Sequence, residues 1–227
     1  MKAPPSARVN SFAQTAASTR ARRKLDAGLR RGCDLTVALL TFAFLLPLLV
    51  AVALAVWIQD GGPVLFGHVR IGKEGRTFRC LKFRSMVLDA DRRLQALLSV
   101  SPQARAEWAR DHKLKDDPRI TWLGRFLRTY SLDELPQLIN VIRGEMSLVG
   151  LRPIVTAEIE RYGRHFARYC SVTPGITGLW QVSGRSDVSY RRRVVMDVMY
   201  VRSLSASMYA WILVATLPAV LLRRGAV

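Results

Sequence analysis

The chain has 227 residues, half of them hydrophobic, and its 35 Lys and Arg residues exceed its 17 Asp and Glu residues to give a formal charge of +18. An apolar content this high excludes a disordered basic tail, and the length allows one domain with a sizeable core and an appendage. A basic chain of this composition has two natural partners, nucleic acid and an anionic membrane surface.

The N-terminal part divides into a basic segment and an apolar one. Residues 1–32 carry eight Lys and Arg residues against one Asp, which predicts a flexible basic arm. Residues 33–59 contain Leu35 to Ile58, a run of 24 residues without a charge. As a helix this run would measure about 36 Å, enough for a hydrocarbon core of roughly 30 Å. A secretory signal peptide has a shorter basic region and a shorter apolar run, so the pattern predicts a membrane helix.

Pro47 interrupts the apolar run near its middle, where proline removes a backbone hydrogen bond and tends to kink a helix. Both flanks of the run are basic, and cytoplasmic loops carry the excess of Lys and Arg. A re-entrant helix would keep both flanks in the cytoplasm, and a kinked spanning helix is the alternative. The residues by themselves leave both open.

Residues 60–202 have the pattern of a mixed α/β domain. Runs at 64–71 and 77–86 predict two strands joined by a hairpin loop. Helical spacing predicts helices at 87–100, 102–113, 136–142 and 155–169. Residues 203–227 contain a second uncharged run, which fits an interfacial helix, a core helix or a second membrane span.

The acidic pair Asp133-Glu134 is the main candidate for chemistry. Pro136 suits the first position of a helix, which would place both acids in the positive field of the helix end and favour their ionised forms. Ordinary capping acids, including a capping box from Ser131 to Glu134, are the alternative. Arg128 precedes the pair and Arg152 follows it, and ionised acids among arginines point to a site for Mg²⁺ and phosphate.

Two further segments have a distinctive pattern of cations or glycines. Lys82 and Arg84 alternate with Phe83 on a predicted strand, which directs both cations to one face, although a solvated basic strand edge has the same pattern. The segment from Pro174 to Arg185 is rich in glycine and could bring backbone N–H groups to a nucleotide or form a turn. Gly67-x-x-x-x-Gly72-Lys73 is excluded as a phosphate-binding loop, because Glu74 replaces the Ser or Thr that binds Mg²⁺.

Five motifs occur in order along the chain: K-F-R-S-M, D-P-R-I-T, S-L-D-E-L-P-Q-L-x-N, M-S-L-V-G-x-R-P and P-G-I-T-G-L-W-Q-V-S-G-R. Taken together, they resemble the bacterial sugar transferase family, the monotopic phosphoglycosyl transferases that load a hexose-1-phosphate onto polyprenyl phosphate. The resemblance covers Leu29 to about Arg202 and is closest to galactosyl-phosphate transferases that initiate exopolysaccharide synthesis.

The resemblance implies a role for each candidate residue. Asp133 would be the covalent nucleophile, and Glu134 would bind Mg²⁺, with Mn²⁺ as an alternative ion. Pro47 would mark the bend of a re-entrant helix. The substrate and phosphate ligands would be Lys82, Arg84, Arg128, Arg152, Arg185 and Asp197.

The implied fold is a mixed, helix-rich α/β protein with a Pro-broken re-entrant membrane helix, a small catalytic domain with a short β-hairpin, and interfacial helices. The implied partners are a UDP-hexose, polyprenyl phosphate and the anionic inner leaflet, without nucleic acid, and a homodimer is compatible. The expected location is the cytoplasmic face of the bacterial inner membrane. Membrane-tethered nucleic-acid binding and a scaffold of polysaccharide assembly without catalysis are the alternative functions.

Overall fold

The computed structural model describes residues 5–111, 114–184 and 188–221. Helices occupy most of this part of the chain, and the strands form two small sheets, so the protein is a helix-rich mixed α/β structure as predicted. The helices are α1 (Pro5–Asp60), α2 (Ala90–Val100), α3 (Pro102–Asp111), α4 (Trp122–Thr129), α5 (Gln137–Arg143), α6 (Ile159–Tyr162), α7 (Phe166–Tyr169), α8 (Leu179–Ser183), α9 (Tyr190–Arg202) and α10 (Ala206–Leu221). The strands are β1 (Leu65–Ile71), β2 (Thr77–Phe83), β3 (Ser147–Val149) and β4 (Gly175–Thr177).

The chain forms two compact units, each built from segments that are not contiguous in the sequence. The first, here called the dyad unit because it contains Asp133 and Glu134, comprises residues 41–69 and 79–140. The second, here called the parallel-strand unit, comprises the described residues up to 40, residues 70–78 and the described residues from 141 onward.

Helix α1 includes both N-terminal segments distinguished in the sequence. It begins at Pro5, so residues 5–32 are helical where the sequence predicted a flexible arm, and Ala and Arg are among the strongest helix formers. The helix is continuous through Pro47. The re-entrant path, in which both ends of the apolar run lie on the same side of the membrane, therefore stays a prediction. Among the described helices, the part Leu25–Asp60 is long and apolar enough to cross a membrane by length and composition.

The core of the dyad unit is built on one face of α1. Leu49, Val52 and Val56 follow helical spacing and are buried against Phe83 of β2 and Leu127 of α4. Other apolar side chains of α1 are exposed, including Phe44, Leu54 and Ile58. Because water solvates such a surface poorly, the exposed face of α1 favours an apolar environment.

Strands β1 and β2 form a two-stranded sheet, which confirms the predicted hairpin. A connection as short as Gly72–Arg76 joins antiparallel strands, and its turn contains Glu74 and Gly75 at positive φ. The predicted helices at 87–100, 102–113 and 136–142 correspond to α2, α3 and α5.

The parallel-strand unit is centred on β3 and β4, which pair in parallel with Ser147 opposite Gly175 and Val149 opposite Thr177. Helix α10 packs against these strands, and the hydroxyls of its Thr216 and of Thr177 in β4 share a hydrogen bond at 2.9 Å. Tyr209 and Ile212 of α10 are buried. The second uncharged run therefore supplies part of a core, although Trp211 on the same helix is exposed.

The helix predicted over 155–169 is interrupted in the structure. It is divided into α6 and α7 with 3-10 turns at Thr156–Glu158 and Gly163–His165. Gly163 has φ of +47°, which is outside the right-handed helical region and ends α6. The apolar residues of this segment keep helical spacing across the interruption, so the sequence predicted one continuous helix.

Candidate functional site

The acidic pair lies on the short connection between α4 and α5. Leu132–Glu134 form one 3-10 turn, preceded by Ser131 at φ of +56°. The Ser131 side chain forms no capping hydrogen bond, so the capping box considered for this segment is absent from the turn as described. Helix α5 begins at Gln137, immediately after Pro136, as the sequence predicted within one residue.

Lys82 of β2 contacts both acids of this turn. Its Nζ donates a hydrogen bond to Oε1 of Glu134 at 2.5 Å and lies 3.6 Å from Oδ2 of Asp133. Strand alternation explains the orientation, because the next residue, Phe83, is buried in the apolar core and directs Lys82 to the opposite face. The structure thus brings together three of the residues proposed from the sequence.

The carboxyl of Asp133 is buried, with its side chain 9% exposed, whereas that of Glu134 is 41% exposed. Burial raises the pKa of Asp133, the positive charges of Lys82 and Arg128 lower it, and the charge of Glu134 raises it. Burial has the largest effect, so the pKa of Asp133 is above its ordinary value. The sequence predicted that a helix end would favour the ionised form of Asp133, whereas in the structure burial outweighs the surrounding charges and raises the pKa.

Arg128 reaches the same region from α4. This helix is capped by Thr121, whose hydroxyl accepts a hydrogen bond from the Gly124 nitrogen at 2.8 Å. The Arg128 Nε donates to the hydroxyl of Ser85 at 2.9 Å, and the residue is otherwise exposed. Its charge lowers the pKa of Asp133, so the two groups interact electrostatically.

A buried ion pair from the D-P-R-I-T motif adjoins this group. The Arg119 guanidinium donates to both carboxylate oxygens of Asp117, at 2.8 and 2.7 Å, and its carbon lies 4.9 Å from the centre of the Trp108 ring. The charges of Arg119 and Arg128 both lower the pKa of Asp117 against the effect of burial. The sequence predicted no role for either residue, because an acid and an arginine two residues apart have no distinctive spacing.

Arg84 has a partner of its own. Both terminal nitrogens of its guanidinium donate to the Asp60 carboxylate at the end of α1, and Arg84 is 8% exposed. The two cations of the K-F-R-S-M segment therefore have different surroundings, because Lys82 contacts the acidic pair and Arg84 fastens β2 to α1. A phosphate-binding role of Arg84 remains a prediction.

The other proposed ligands belong to the parallel-strand unit or lie outside the described residues. Arg152 is exposed just beyond β3. Asp197 of α9 is 2% exposed and accepts a hydrogen bond from the Tyr162 hydroxyl at 2.6 Å. Burial raises the pKa of Asp197 to about 7, although Tyr162 and Arg193 act in the opposite direction. Arg185 lies outside the described residues, and the substrate roles of all three remain predictions.

The acidic pair offers the carboxylate ligands of a Mg²⁺ site in which substrate phosphates would supply further ligands. Among the described residues no group of three or more His, Cys, Asp or Glu side chains could hold a metal. Mg²⁺ commonly takes one or two protein carboxylates and completes its shell with water and substrate phosphates. Asp133 and Glu134 fit such an ion, and they fit Mn²⁺ equally.

Residues 25–223 match the family model described as bacterial sugar transferase. A UDP-galactose-lipid carrier transferase of Erwinia amylovora is 53% identical over 87% of this chain and 41% of its own length. An exopolysaccharide production protein, ExoY, of Sinorhizobium fredii is 49% identical over 86% of this chain and 87% of its own length. An undecaprenyl-phosphate galactose phosphotransferase of Salmonella typhimurium is 49% identical over 87% of this chain and 41% of its own length.

The chain thus spans about two fifths of the length of some of these relatives and most of the length of others. The family match covers α1 from residue 25 and every strand and helix of the described structure that follows it. It includes the acidic turn, Lys82 and Arg128. The chain therefore belongs to the bacterial sugar transferase family.

Proposed function

We propose that the protein transfers a hexose-1-phosphate from a UDP-hexose to polyprenyl phosphate and releases UMP. The observation that carries this proposal is the contact of Lys82 with both Glu134 and the buried carboxyl of Asp133. A desolvated carboxyl among cations is a nucleophile placed where an anionic substrate is attracted. Family membership supports the same class of reaction.

In the first step, an oxygen of the Asp133 carboxylate attacks the phosphorus that carries the sugar. A new acyl phosphate bond forms, the phosphoanhydride bond breaks, and UMP leaves with its electron pair. Lys82 and Arg128 stabilise the charge that accumulates on the phosphoryl oxygens, which is the main form of catalysis available in phosphoryl transfer.

In the second step, an oxygen of polyprenyl phosphate attacks the same phosphorus. The acyl phosphate bond breaks, which regenerates the Asp133 carboxylate and leaves the sugar joined to the lipid through a new phosphoanhydride. One phosphoanhydride replaces another in the complete reaction, so ATP is not required.

Glu134, with Asp133 as its neighbour, is proposed to hold Mg²⁺. The bound ion would neutralise phosphate charge, as divalent ions do in phosphoryl transfer. In the structure the Lys82 ammonium contacts Oε1 of Glu134, so a metal ion held by Glu134 would share this oxygen with Lys82 or take its place.

The names of the relatives favour galactose as the first donor sugar to test. One relative is named for UDP-galactose and a lipid carrier, and another for undecaprenyl phosphate and galactose. The name ExoY refers to exopolysaccharide production, which supports a place at the membrane step that begins such a polymer. Glucose is the second sugar to test.

The proposed location is the cytoplasmic face of the bacterial inner membrane, with α1 re-entrant at Pro47. Single cysteines placed at positions 10 and 90, in a variant without the three native cysteines, test this topology. Both should be protected from an impermeant thiol reagent in intact cells and react after the membrane is opened. Labelling at position 10 alone in intact cells would indicate a spanning helix.

Isotope exchange tests the two-step mechanism directly. With the purified full chain in detergent, radiolabelled UMP should enter UDP-galactose when polyprenyl phosphate is absent. The variant Asp133→Asn should abolish exchange, whereas Asp91→Asn, an exposed acid on α2, serves as the matched control. Lipid product without exchange would contradict the covalent step.

Release of UMP also separates the transferase from the alternative functions. A scaffold without catalysis would release no UMP from any UDP-hexose. A tethered nucleic-acid-binding protein would instead bind duplex or single strands with an affinity that falls steeply as salt rises.

A further inference from the structure

The guanidinium of Arg128 is held at one of its three nitrogens. Its Nε donates to the hydroxyl of Ser85 at 2.9 Å, and Ser85 is 7% exposed. A guanidinium has five N–H donors in one plane, so this bond restricts the plane and leaves four donors on the terminal nitrogens. Four donors in a fixed plane suit the oxygens of a phosphate.

The backbone of Ser85 is itself fixed by the segment that leads into α4. The Ser85 carbonyl accepts a hydrogen bond from the Thr121 nitrogen at 3.2 Å, and the Val87 nitrogen donates to the Arg119 carbonyl at 2.9 Å. Between these bonds, Met86 and Ile120 form an antiparallel bridge. The segment from Ser85 to Val87 is therefore hydrogen-bonded at both of its ends to the chain that precedes α4.

Gly124 allows α4 to lie directly on this backbone. A Cβ at residue 124 would come within 1.9 Å of the Ser85 carbonyl oxygen and 2.8 Å of its Cα. Arg128 follows Gly124 by one helical turn, and helical side chains lean toward the N-terminus of their helix. The Arg128 side chain consequently points back over Ser85, which explains why its Nε meets the hydroxyl.

We propose that Ser85 is a positioning residue, whose hydroxyl orients the Arg128 guanidinium so that its terminal N–H groups face the phosphate that reacts at Asp133. This inference rests on the proposed function. The Ser131 nitrogen donates to the Arg128 carbonyl at 3.1 Å, so Arg128 lies directly at the start of the turn that carries Asp133. Lysine at position 128 would keep the charge but has no Nε to bind Ser85.

A double-mutant cycle distinguishes this role from a merely structural one. Ser85→Ala should lower kcat/KM for UMP release about tenfold, as expected when a hydrogen bond to a charged group is lost. Ser85→Thr, which keeps the hydroxyl, should retain most of the activity. When residue 128 is already Lys, Ser85→Ala should have no further effect. An equal loss in both backgrounds would overturn the proposal.

A second measurement does not depend on catalysis. In protein labelled with ¹⁵N-arginine, the Nε–H signal of Arg128 is identified by its absence from the Arg128→Lys variant. Ser85→Ala should speed exchange of this proton with water by about fivefold or more, because its acceptor is gone. Unchanged exchange would refute the contact and with it the proposal.

The matched control is Ser99→Ala, an exposed serine of α2, which should alter neither measurement. If the unaltered protein releases no UMP from any UDP-hexose, the proposed function fails. The proton-exchange experiment then still decides whether Ser85 orients Arg128.

Discussion

The side-chain oxygen of Asn140 accepts a hydrogen bond from the backbone nitrogen of Leu81 at 2.9 Å. The amide nitrogen of the same side chain donates to the Arg79 carbonyl at 2.8 Å, and Asn140 is fully buried. One side chain of α5 therefore pairs with β2 as a neighbouring strand would. This contact holds α5 against β2 at Leu81, the residue before Lys82. The acidic turn, which directly precedes α5, is thereby held close to Lys82.

Replacement of Asn140 by Ala should lower the free energy of unfolding by about 2 to 3 kcal/mol, because two buried backbone groups lose their partner. Thermal unfolding in detergent measures the change. Gln103→Ala, an exposed amide on α3, should be close to neutral. The same melting temperature for the Asn140 variant and the unaltered protein would contradict this account of the contact.

The local elements that the sequence predicted are those with a long periodic signal. The hairpin of β1 and β2 has alternating strands and a loop with two glycines, and α2 and α3 have apolar residues at helical spacing. The strands β3 and β4 were missed, because three residues are too few to show alternation and their partners are distant in sequence. Nothing local indicates that Ser147 meets Gly175.

The candidate site was predictable as a set of residues but not as a geometry. Motifs named Lys82, Asp133 and Arg128, yet no spacing showed that Lys82 would contact the acids or that Arg84 would turn away to Asp60. Such pairings arise from packing between distant segments. Burial of Asp133, which reverses the expected direction of its pKa shift, follows from the same packing.

The proposed mechanism predicts how the rate depends on pH. Asp133 must be ionised to attack, so kcat/KM should fall on the acid side as the carboxyl takes up a proton. The charge of Lys82 lowers the pKa of Asp133. Lys82→Gln should therefore raise this pKa and move the acid limb to higher pH, in addition to slowing the reaction.

The pH profile of UMP release measures this shift. Lys115→Gln, which alters an exposed lysine of the same unit, is the control and should leave the acid limb in place. An acid limb at the same pH with and without Lys82 would argue that a group other than Asp133 is being titrated.

The close approach of α4 to Ser85 predicts a low tolerance for a methyl group at Gly124. Gly124→Ala should destabilise the protein by roughly 3 kcal/mol, because a Cβ meets backbone atoms that have no room to move. Gly28→Ala is the control, since a Cβ there meets nothing within 4 Å and alanine favours the helix. A chemical or thermal unfolding series on the two variants compares them, and similar stabilities would contradict the packing.

Variants of the ion pair between Arg84 and Asp60 can distinguish a structural role of Arg84 from a role in phosphate binding. Asp60→Asn should lower the free energy of unfolding by about 3 kcal/mol, since it leaves the buried charge of Arg84 without its partner. Arg84→Met should lower it less, because water can solvate the exposed Asp60 that remains. The double variant should lose less than the sum. Calorimetric titration with UDP completes the test, because weaker binding in Arg84→Met alone would instead favour a phosphate ligand.

Asp197 gives the protein a stability that depends on pH. Its pKa in the folded protein is about 7, whereas the ordinary value is 3.8, because the carboxyl is buried. Between these values the folded state keeps a proton that the unfolded state releases. The contribution of Asp197 to the free energy of unfolding is therefore largest below about pH 4. It falls by up to about 1.4 kcal/mol per pH unit as pH rises toward 7 and does not change further above that pH.

Asp197→Asn removes this dependence, because the amide is neutral at every pH and its oxygen can still accept the hydrogen bond from Tyr162. The variant should gain stability relative to the unaltered protein as pH rises from about 4 to about 7, and the gain should level off above. Thermal unfolding across this range, with the exposed Asp116→Asn as control, measures the difference. A difference independent of pH would mean that Asp197 is ionised throughout, and that its burial is compensated by charges such as Arg193.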